Sequence, residues 1–364
     1  MLFLKNKISG LLKNLDNATL LAICPMSEII VKATFEEAKE SGFPILFVAT
    51  RNQVDINGGY TGWDQQGLVN FVNRIAKESS FNGLVFIARD HGGPWFNFAE
   101  RDLQESDAME KTKKSFEKDI DNGFQMLHVD ATMNSDSIDV VLKRTIELIN
   151  HIEAYSKEKN FTMEYEVGTE EIEGGLTDLN VFENYLKELS KNPAWKKFCF
   201  VVAQTGTKLG FKGEHNFDEK RAKELVEIAK RYGLGIKQHS TDDMETSQLR
   251  LFPKIGVAAA NVGPEFSVAE TQTYVDDEPA LLEAFKTAAL RDGKWHKWSK
   301  KQESELTEKE KIELAVSCAR YVYNYPEIKN AMSRMNKRVC ADALDAVKAS
   351  IHRYVDAFNL AGTI

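Results

Sequence analysis

The 364-residue chain has little cysteine, and its four cysteines are far apart. No two of them form a Cys-x-x-Cys spacing. At least Cys24 and Cys199 lie inside apolar runs that are typical of strands. We therefore expect Cys24, Cys199, Cys318 and Cys340 to be free thiols, most of them buried, and not disulfide partners.

Long hydrophobic runs and an excess of positive charge are also missing. No apolar stretch approaches the roughly 20 residues that cross a bilayer, and the first residues lack the regions of a signal peptide. We therefore expect a cytoplasmic protein with no membrane partner. The net charge is -8, with acidic and basic residues interspersed, which gives no electrostatic footprint for nucleic acid. This composition favours small-molecule chemistry.

Several catalytic motifs are absent as well. No strand is followed by Gly-x-Gly-x-x-Gly, and there is no Gly-x-Ser-x-Gly nucleophile motif or cysteine beside an evident base. Schiff-base catalysis would need a desolvated lysine. Lys208 and Lys237 are the candidates, although the sequence gives neither a reason to be desolvated. This interpretation stays an alternative.

What the chain does have is a regular alternation of apolar runs and amphipathic segments. Eight such units predict a (β/α)8 barrel over residues 1–299, with a doubly wound open sheet as the alternative. Residues 300–364 change to a charged run and then to helical segments, which predicts a helical C-terminal extension. That extension could cap the barrel, complete a neighbour's site or form an oligomer contact. The predicted strands are Leu20–Cys24, Ile45–Ala49, Leu84–Ala88, Met126–Val129, Met163–Val167, Phe198–Ala203, Ile236–Gln238 and Gly256–Asn261.

Polar side chains follow or end nearly all of these runs. The third run stops abruptly at Asp90 and His91, and two glycines let the backbone turn there. In a barrel the carboxyl ends of the strands meet on one face, where such enzymes keep their chemistry. The residues expected on this face are Arg51, Asn52, Gln53, Asp90, His91, Asp130, Glu164, Glu166, Gln204, His239 and Asn261.

Two histidines and a glutamate in this set are plausible ligands for a borderline divalent metal such as zinc. An acid beside one ligand suits proton transfer next to a Lewis acid. His215, in a polar loop after the sixth strand, is either a third imidazole or a solvated residue. We expect His128 to be a hydrogen-bonded core residue, and His151, His296 and His352 to lie at the surface.

Several ordered segments resemble the accessory or Z-type subunit of tagatose-bisphosphate aldolase, within the class II aldolase superfamily. The match runs from about residue 20 to 270, and the tail around 320–330 also looks like that family's C-terminal region. The segments are Asn52-Gln53 with Gly58-Gly59-Tyr60-Thr61-Gly62, Asp90-His91-Gly92-Gly93-Pro94, His128-Val129-Asp130-Ala131-Thr132-Met133, Glu164-Tyr165-Glu166-Val167-Gly168-Thr169-Glu170 and His239-Ser240-Thr241-Asp242.

The resemblance implies that His91 and His239 bind a divalent metal, with Glu166 as a carboxylate ligand and Asp90 as the catalytic acid/base. Zinc is the first expectation, with manganese, cobalt or nickel as alternatives. His215 is the candidate third imidazole, although a few residues are inserted before it. Glu166 is also counted among the catalytic residues. Predicted substrate-binding residues are Asn52, Gln53, Tyr60, Asp130, Gln204, Asp242 and Asn261.

The seventh strand ends in Ser240-Thr241-Asp242-Asp243, which puts negative charge where related aldolases place a phosphate-binding loop. A phosphate would therefore bind elsewhere, near Gly263 or through Arg51. Alternatively, the substrate is an unphosphorylated or carboxylated sugar whose hydroxyls meet Asp242 and Asp243.

Two roles are described in the resembling family. One is a metal-dependent ketose-phosphate C4-epimerase, which works by retro-aldol chemistry, and the other is a non-catalytic subunit that supports a partner aldolase. The presence of both the acid and the ligands favours an enzyme acting on a ketose or ketose phosphate, by epimerisation or aldol cleavage. The accessory subunit is the alternative. A homo-oligomer or a partner aldolase subunit is the expected protein partner.

Overall fold

The computed structural model describes residues 7–15, 17–135, 137–169, 176–207 and 216–364. Its eight strands are parallel and close into a barrel in chain order. Pairing of the first strand with the last, with Leu20 beside Ala259, completes the closure. The predicted (β/α)8 barrel is confirmed, and the open sheet is wrong. The strands are β1 (Leu20–Ile23), β2 (Ile45–Thr50), β3 (Val85–Asp90), β4 (Met126–Val129), β5 (Glu164–Gly168), β6 (Phe198–Val202), β7 (Gly235–Gln238) and β8 (Ala259–Val262).

Helices separate the strands and cover the barrel. Several start at a residue whose side chain accepts a backbone N–H of the first turn, as Asp64 does from Gly67 and Asp218 from Arg221. The helices are α1 (Ile8–Leu12), α2 (Glu28–Ser41), α3 (Gln65–Glu78), α4 (Glu105–Asp121), α5 (Ile138–Glu158), α6 (Leu179–Leu189), α7 (Glu219–Arg231), α8 (Thr246–Leu249), α9 (Leu251–Ile255), α10 (Pro264–Asp277), α11 (Pro279–Asp292), α12 (Glu308–Cys318), α13 (Pro326–Met332) and α14 (Lys337–Ala357).

The predicted strands match the observed ones, with small differences at the ends. The eighth run was expected from Gly256, but β8 begins at Ala259. Gly256 has a φ of 86° and ends α9 in the left-handed conformation that glycine favours. The third strand continues to Asp90, so this carboxylate belongs to the strand itself.

The amino-terminal end of the barrel is closed by α1. The backbone N–H groups of Ile8 and Ser9 donate to the carboxylate of Glu164, at 2.7 and 3.2 Å. A negative charge at a helix N-terminus is stabilising. Glu164 therefore holds α1 at the start of β5, and the expectation that it lies on the functional face is wrong. Glu166 lies two residues nearer the carboxyl end.

Two hydrophobic clusters organise the chain. The larger one surrounds the barrel and includes Val347, Ile351 and Tyr354 from α14. The smaller one joins α10 and α11 to α12 and α13, and its first member along the chain is Tyr274. Both clusters therefore contain residues from each side of the predicted boundary at residue 299, which itself stays a prediction.

Glu270 on α10 is a buried acid with a consequence for stability. It accepts hydrogen bonds from Ser27 Oγ at 2.5 Å and Tyr274 Oη at 2.9 Å. Burial raises its pKa from 4.5 to about 7. Between these values the unfolded chain releases this proton while the folded chain keeps it. The free energy of unfolding therefore falls as the pH rises through this window, by up to about 3 kcal/mol.

All four cysteines are free, and Cys24, Cys199 and Cys318 are buried. This agrees with the sequence-based expectation. Within the described residues, no helix is long and apolar enough to span a bilayer.

Candidate metal centre and active site

Four buried side chains from four strands meet at the carboxyl end of the barrel. Asp90 ends β3, His128 lies in β4, Glu166 lies in β5 and His239 follows β7. None is more than 3% exposed. One ligand atom of each lies within 4.8 Å of the others. The barrel thus brings together Asp90, Glu166 and His239, as the sequence analysis expects.

His91 joins the same site because the chain turns sharply after β3. Its φ is 42°, in the left-handed region. The turn packs closely on the rim of β4, where a Cβ atom on Gly93 would lie 1.3 Å from the carbonyl oxygen of Asp130. The His91 ring centroid lies 4.8 Å from that of His239. The turn therefore lets adjacent residues, Asp90 and His91, reach one pocket.

The carboxylate of Asp90 is surrounded by imidazoles. Its Oδ1 lies 3.6 Å from His128 Nδ1, 3.7 Å from His239 Nε2 and 3.9 Å from His91 Nε2. Burial raises the pKa of Asp90, but the positive potential of His91 and His239 outweighs it and holds the pKa well below its usual value. This oxygen has no hydrogen-bond partner among the described residues. Asp90 is thus an ionised acceptor positioned for a cation or a proton.

Glu166 divides its two oxygens between a lysine and the histidines. Oε2 lies 2.6 Å from Lys237 Nζ, and both side chains are fully buried. Oε1 lies 3.1 Å from His239 Nε2 and 3.4 Å from His128 Nδ1. Burial raises the pKa of Glu166, yet Lys237 and His128 overcome this and lower it to about 2. The burial of Lys237 corrects the sequence-based interpretation, in which nothing indicates that this lysine is desolvated.

Asp130 orients His91. Its Oδ2 lies 2.6 Å from His91 Nδ1, which leaves Nε2 of the ring directed away from this contact. Loss of hydration lowers the pKa of His91, but Asp90 and the hydrogen bond to Asp130 raise it to about 9. A carboxylate on the second ring nitrogen is typical of a ligand imidazole, because it fixes the tautomer and ring orientation. Asp130, predicted to bind substrate, therefore holds His91.

His128 is the functional candidate that the sequence reading missed. The sequence predicts a hydrogen-bonded core residue, and its Nδ1 does accept the His91 N–H at 3.3 Å. The same Nδ1, however, faces Asp90 Oδ1 at 3.6 Å and Glu166 Oε1 at 3.4 Å. It belongs to both groups of ligand-type side chains, one with Asp90, Glu166 and His239 and one with His91 and Asp130. The sequence does contain an indication of this role. His128 lies two residues before Asp130, and residues two apart in a strand point to the same face.

The family follows from a comparison of sequences. The sequence model described as D-tagatose-1,6-bisphosphate aldolase subunit GatZ/KbaZ-like matches residues 6–357. This chain belongs to the GatZ/KbaZ-like family. The resemblance that the strand-end segments carry is thereby confirmed.

Solved structures share the fold at low sequence identity. A probable tagatose 6 phosphate kinase from Sinorhizobium meliloti 1021 is 22% identical with a TM-score of 0.75, over 93% of this chain and 100% of that one. The fructuronate-tagaturonate epimerase UxaE from Cohnella laeviribosi, in complex with two glycerols, is 11% identical with a TM-score of 0.68, over 95% and 82%. The YdjI aldolase from Escherichia coli K12 is 10% identical with a TM-score of 0.56, over 95% and 93%. This GatZ/KbaZ-like chain therefore has the fold of sugar aldolases and epimerases.

The residues predicted to bind sugar in this GatZ/KbaZ-like protein lie around the same rim. Asn52 Oδ1 accepts the Phe98 N–H at 2.7 Å, so this side chain positions the loop after β3. Gln53 Oε1 accepts the N–H of Thr50 at 2.8 Å. Asn261 Oδ1, in β8, is buried with no hydrogen-bond partner among the described residues. The buried Gln204 follows β6. Their roles towards substrate stay predictions.

The two phosphate positions suggested by the sequence are already occupied by protein groups. Asp242 accepts the N–H groups of Gly263 and Glu265, each at 2.9 Å, so a carboxylate caps the start of α10. Arg51 is buried in ion pairs with Asp55 at 3.0 Å and Glu100 at 2.6 Å. Neither site offers free donors for a phosphate, and these expectations are wrong. Burial raises the pKa of Asp242 to about 7.

Two candidates lie outside the described residues of the GatZ/KbaZ-like chain, namely His215 and Lys208. The other Schiff-base candidate, Lys237, is paired with Glu166. This buried contact argues against Lys237 as a Schiff-base nucleophile.

Proposed function

We propose that this protein is a divalent-metal-dependent enzyme that acts on a ketose or ketose phosphate by retro-aldol chemistry, with C4-epimerisation or aldol cleavage as the net reaction. The observation that carries the proposal is the buried cluster of Asp90, His128, Glu166 and His239, whose ligand atoms lie within 4.8 Å of one another. Membership of the GatZ/KbaZ-like family supports it.

The donor set fits a divalent cation. It combines imidazole nitrogens with carboxylate oxygens, which suit zinc, manganese or cobalt. Asp90 Oδ1 is a buried polar atom without a hydrogen-bond partner in the part of the chain described, a costly arrangement in a protein interior. We propose His91, His128, Glu166 and His239 as the residues that would hold the cation, with His215 as a further candidate. When bound, the cation would supply a Lewis acid that stabilises negative charge on the substrate's oxygens.

Asp90 would move the proton. It takes the proton of the C4 hydroxyl, so that C4 becomes an aldehyde carbon and the C3–C4 bond breaks. The electron pair of that bond passes into the enediolate formed by C2 and C3. Rotation of the aldehyde, followed by bond formation on its other face and return of the proton from Asp90, inverts C4. For net cleavage the aldehyde leaves instead, and Asp90 returns the proton to C3 of the enediolate, which gives the shorter ketose.

The barrel residues around Asp90 support this role. Its burial excludes water from the carboxylate. Its Oδ1 lies 3.6 to 3.9 Å from three imidazoles, so it would face a substrate held at the same centre as a proton acceptor. Lys237 compensates the charge of Glu166 and fixes one of its oxygens. The other oxygen is directed at the histidines.

The test is to incubate the metal-loaded protein with a panel of ketoses and ketose 6-phosphates, and to follow epimer formation and aldehyde release separately. We expect turnover of at least one compound, and loss of it in Asp90→Asn. Identical behaviour of wild type and Asp90→Asn with every compound would refute the catalytic proposal.

A second candidate function is an accessory subunit that stabilises a partner aldolase. The family description, which names an aldolase subunit, favours it. This function predicts no intrinsic turnover and a stable complex that survives substitution of His91. Co-purification from the native host, followed by the same assay panel, distinguishes the two functions.

A further inference from the structure

A group of cations and aromatic rings lies beside the proposed active site and does not take part in the chemistry above. We call it the cationic wall. It draws on the loops after β2 and β3 and on the segment between α11 and α13. Its members are Tyr60, Phe98, Arg101, Lys297, Arg320 and Tyr321.

The cations of the wall are arranged around two aromatic rings. Arg101 Cζ lies 4.7 Å from the centroid of the Phe98 ring, and Lys297 Nζ lies 4.4 Å from it. On the neighbouring ring of Tyr321, Lys297 lies at 5.4 Å and Arg320 Cζ at 4.6 Å. A fourth cation, Lys294, lies 5.3 Å from the Phe98 ring and is paired with Asp292 at 2.6 Å. The faces of the rings thus hold three other positive groups close together.

Arg320 is the unusual member because it is only 3% exposed. It donates to the carbonyl of Ser317 and, at 3.2 Å, to Tyr321 Oη. Within the described ranges no carboxylate pairs with Arg320, Lys297 or Arg101. Buried guanidinium groups are normally paired with an acid. The contrast with Arg51 and Arg89, which are buried in ion pairs, points to an anion that the chain itself does not supply.

The wall is connected to the active site through Tyr60. The Tyr60 ring centroid lies 5.0 Å from that of Tyr321, and Asn324 Nδ2 donates to the Tyr60 carbonyl at 2.8 Å. The backbone N–H of Tyr60 donates to the carbonyl of Asn52 at 2.9 Å, so this residue is held against the rim that follows β2. The backbone N–H of Phe98 donates to Asn52 Oδ1, and this hydrogen bond holds the Phe98 part of the wall against the loop after β2.

We propose that the cationic wall binds the terminal anionic group of the ketose, a phosphate or a carboxylate, while the sugar carbons extend towards Asp90. The inference rests on the proposed function for the identity of the sugar, but anion binding itself needs no turnover. Guanidinium and ammonium donors suit both oxyanions, and a dianionic phosphate gains most from several positive groups. The anion site proposed here therefore differs from the two phosphate positions that the sequence suggests, near Gly263 and at Arg51. It lies partly on the C-terminal helical segment.

The experiment measures equilibrium binding by calorimetry, with the full chain and four probes: inorganic phosphate, tagatose 6-phosphate, tagaturonate and neutral tagatose. We expect at least one charged sugar to bind more tightly than tagatose. Arg320→Gln should weaken that sugar by roughly 10- to 100-fold and leave tagatose unchanged, since charge-assisted hydrogen bonds are lost. Tighter binding of tagatose 6-phosphate than of tagaturonate would identify the bound group as a phosphate, and the reverse order would identify it as a carboxylate.

Lys297→Gln is the second variant, because Lys297 is an exposed residue outside both hydrophobic clusters. It should weaken the same charged sugar by several-fold. Lys300→Gln, an exposed lysine three residues away, is the matched control and should change nothing. The proposal is overturned if neither charged sugar binds more tightly than tagatose, if Lys297→Gln behaves like Lys300→Gln, or if Arg320→Gln weakens tagatose equally. If the protein binds the charged sugar as expected but turns over none of the compounds, the proposed function is refuted and the anion site is not.

Discussion

The buried ion pair between Lys237 and Glu166 allows the electrostatics of the site to be tested without any substrate. Lys237→Met keeps an unbranched, apolar side chain that lacks only the terminal nitrogen position, and it removes the charge. The Nζ and Oε2 atoms are 2.6 Å apart and both side chains are fully buried. Removing one partner of such a pair leaves an uncompensated buried charge and costs about 3–5 kcal/mol.

The neighbours of Glu166 determine how much of the free energy of unfolding is lost within this range. Oε1 lies 3.1 Å from His239 Nε2, and a proton on that imidazole can take over part of the compensation. We therefore expect Lys237→Met to lower the free energy of unfolding by about 3 kcal/mol, the lower end of the range for a broken buried pair. The measurement is urea denaturation followed by circular dichroism, first with a chelator and then with a saturating divalent cation. The cation should stabilise this variant more than wild type, because it compensates Glu166.

Lys223→Met is the matched control, since Lys223 pairs with Glu219 on the exposed face of α7. It should cost less than about 1 kcal/mol. The double variant Lys237→Met with Glu166→Gln should recover most of the loss, because no unpaired charge remains. The reasoning is refuted if Lys237→Met costs no more than the control, or if the double variant is no more stable than Lys237→Met alone.

Four further predictions follow from the site and the fold. Asp90→Asn should lower turnover by at least about 10²-fold while the metal content per chain, measured by mass spectrometry, stays near that of wild type; loss of both would make Asp90 a ligand instead of the base. His128→Asn should weaken metal binding at least about tenfold in a chelator competition, whereas His151→Asn, a surface control, should not. Glu270→Gln should flatten the fall in unfolding free energy between pH 4.5 and pH 7 and stabilise the protein at pH 8; an unchanged pH profile would contradict the raised pKa. Gly93→Ala should cost more than about 2 kcal/mol, because its Cβ would meet a backbone carbonyl at 1.3 Å; a melting temperature equal to that of wild type would show that the rim is less tightly packed.

The local pattern of the sequence was sufficient for the barrel and for part of the site. Alternating apolar runs and amphipathic helices specify the (β/α)8 order, because each unit must bury its apolar face against the next. Asp90 and His91 were recognisable because they interrupt an apolar run just before two glycines. His239 and Glu166 follow the same logic at the ends of their strands.

The rest depends on contacts between residues far apart in the chain. Lys237 is 71 residues from Glu166, and Arg51 is 49 residues from Glu100. Nothing local distinguishes these buried, paired cations from the unpaired Arg320. His128 was assigned to the core because it lies inside a strand, although in a barrel the inner face of a strand near its carboxyl end is the floor of the active site.

The most direct test of the central claim is anomalous X-ray scattering from crystals of the zinc-loaded protein, measured at the zinc edge. We expect one strong peak per chain at the carboxyl end of the barrel, within about 2.0–2.2 Å of nitrogen or oxygen ligands from Glu166, His239 and at least one of His91 and His128. A fully loaded crystal whose peaks all lie elsewhere would show that these residues do not hold the metal.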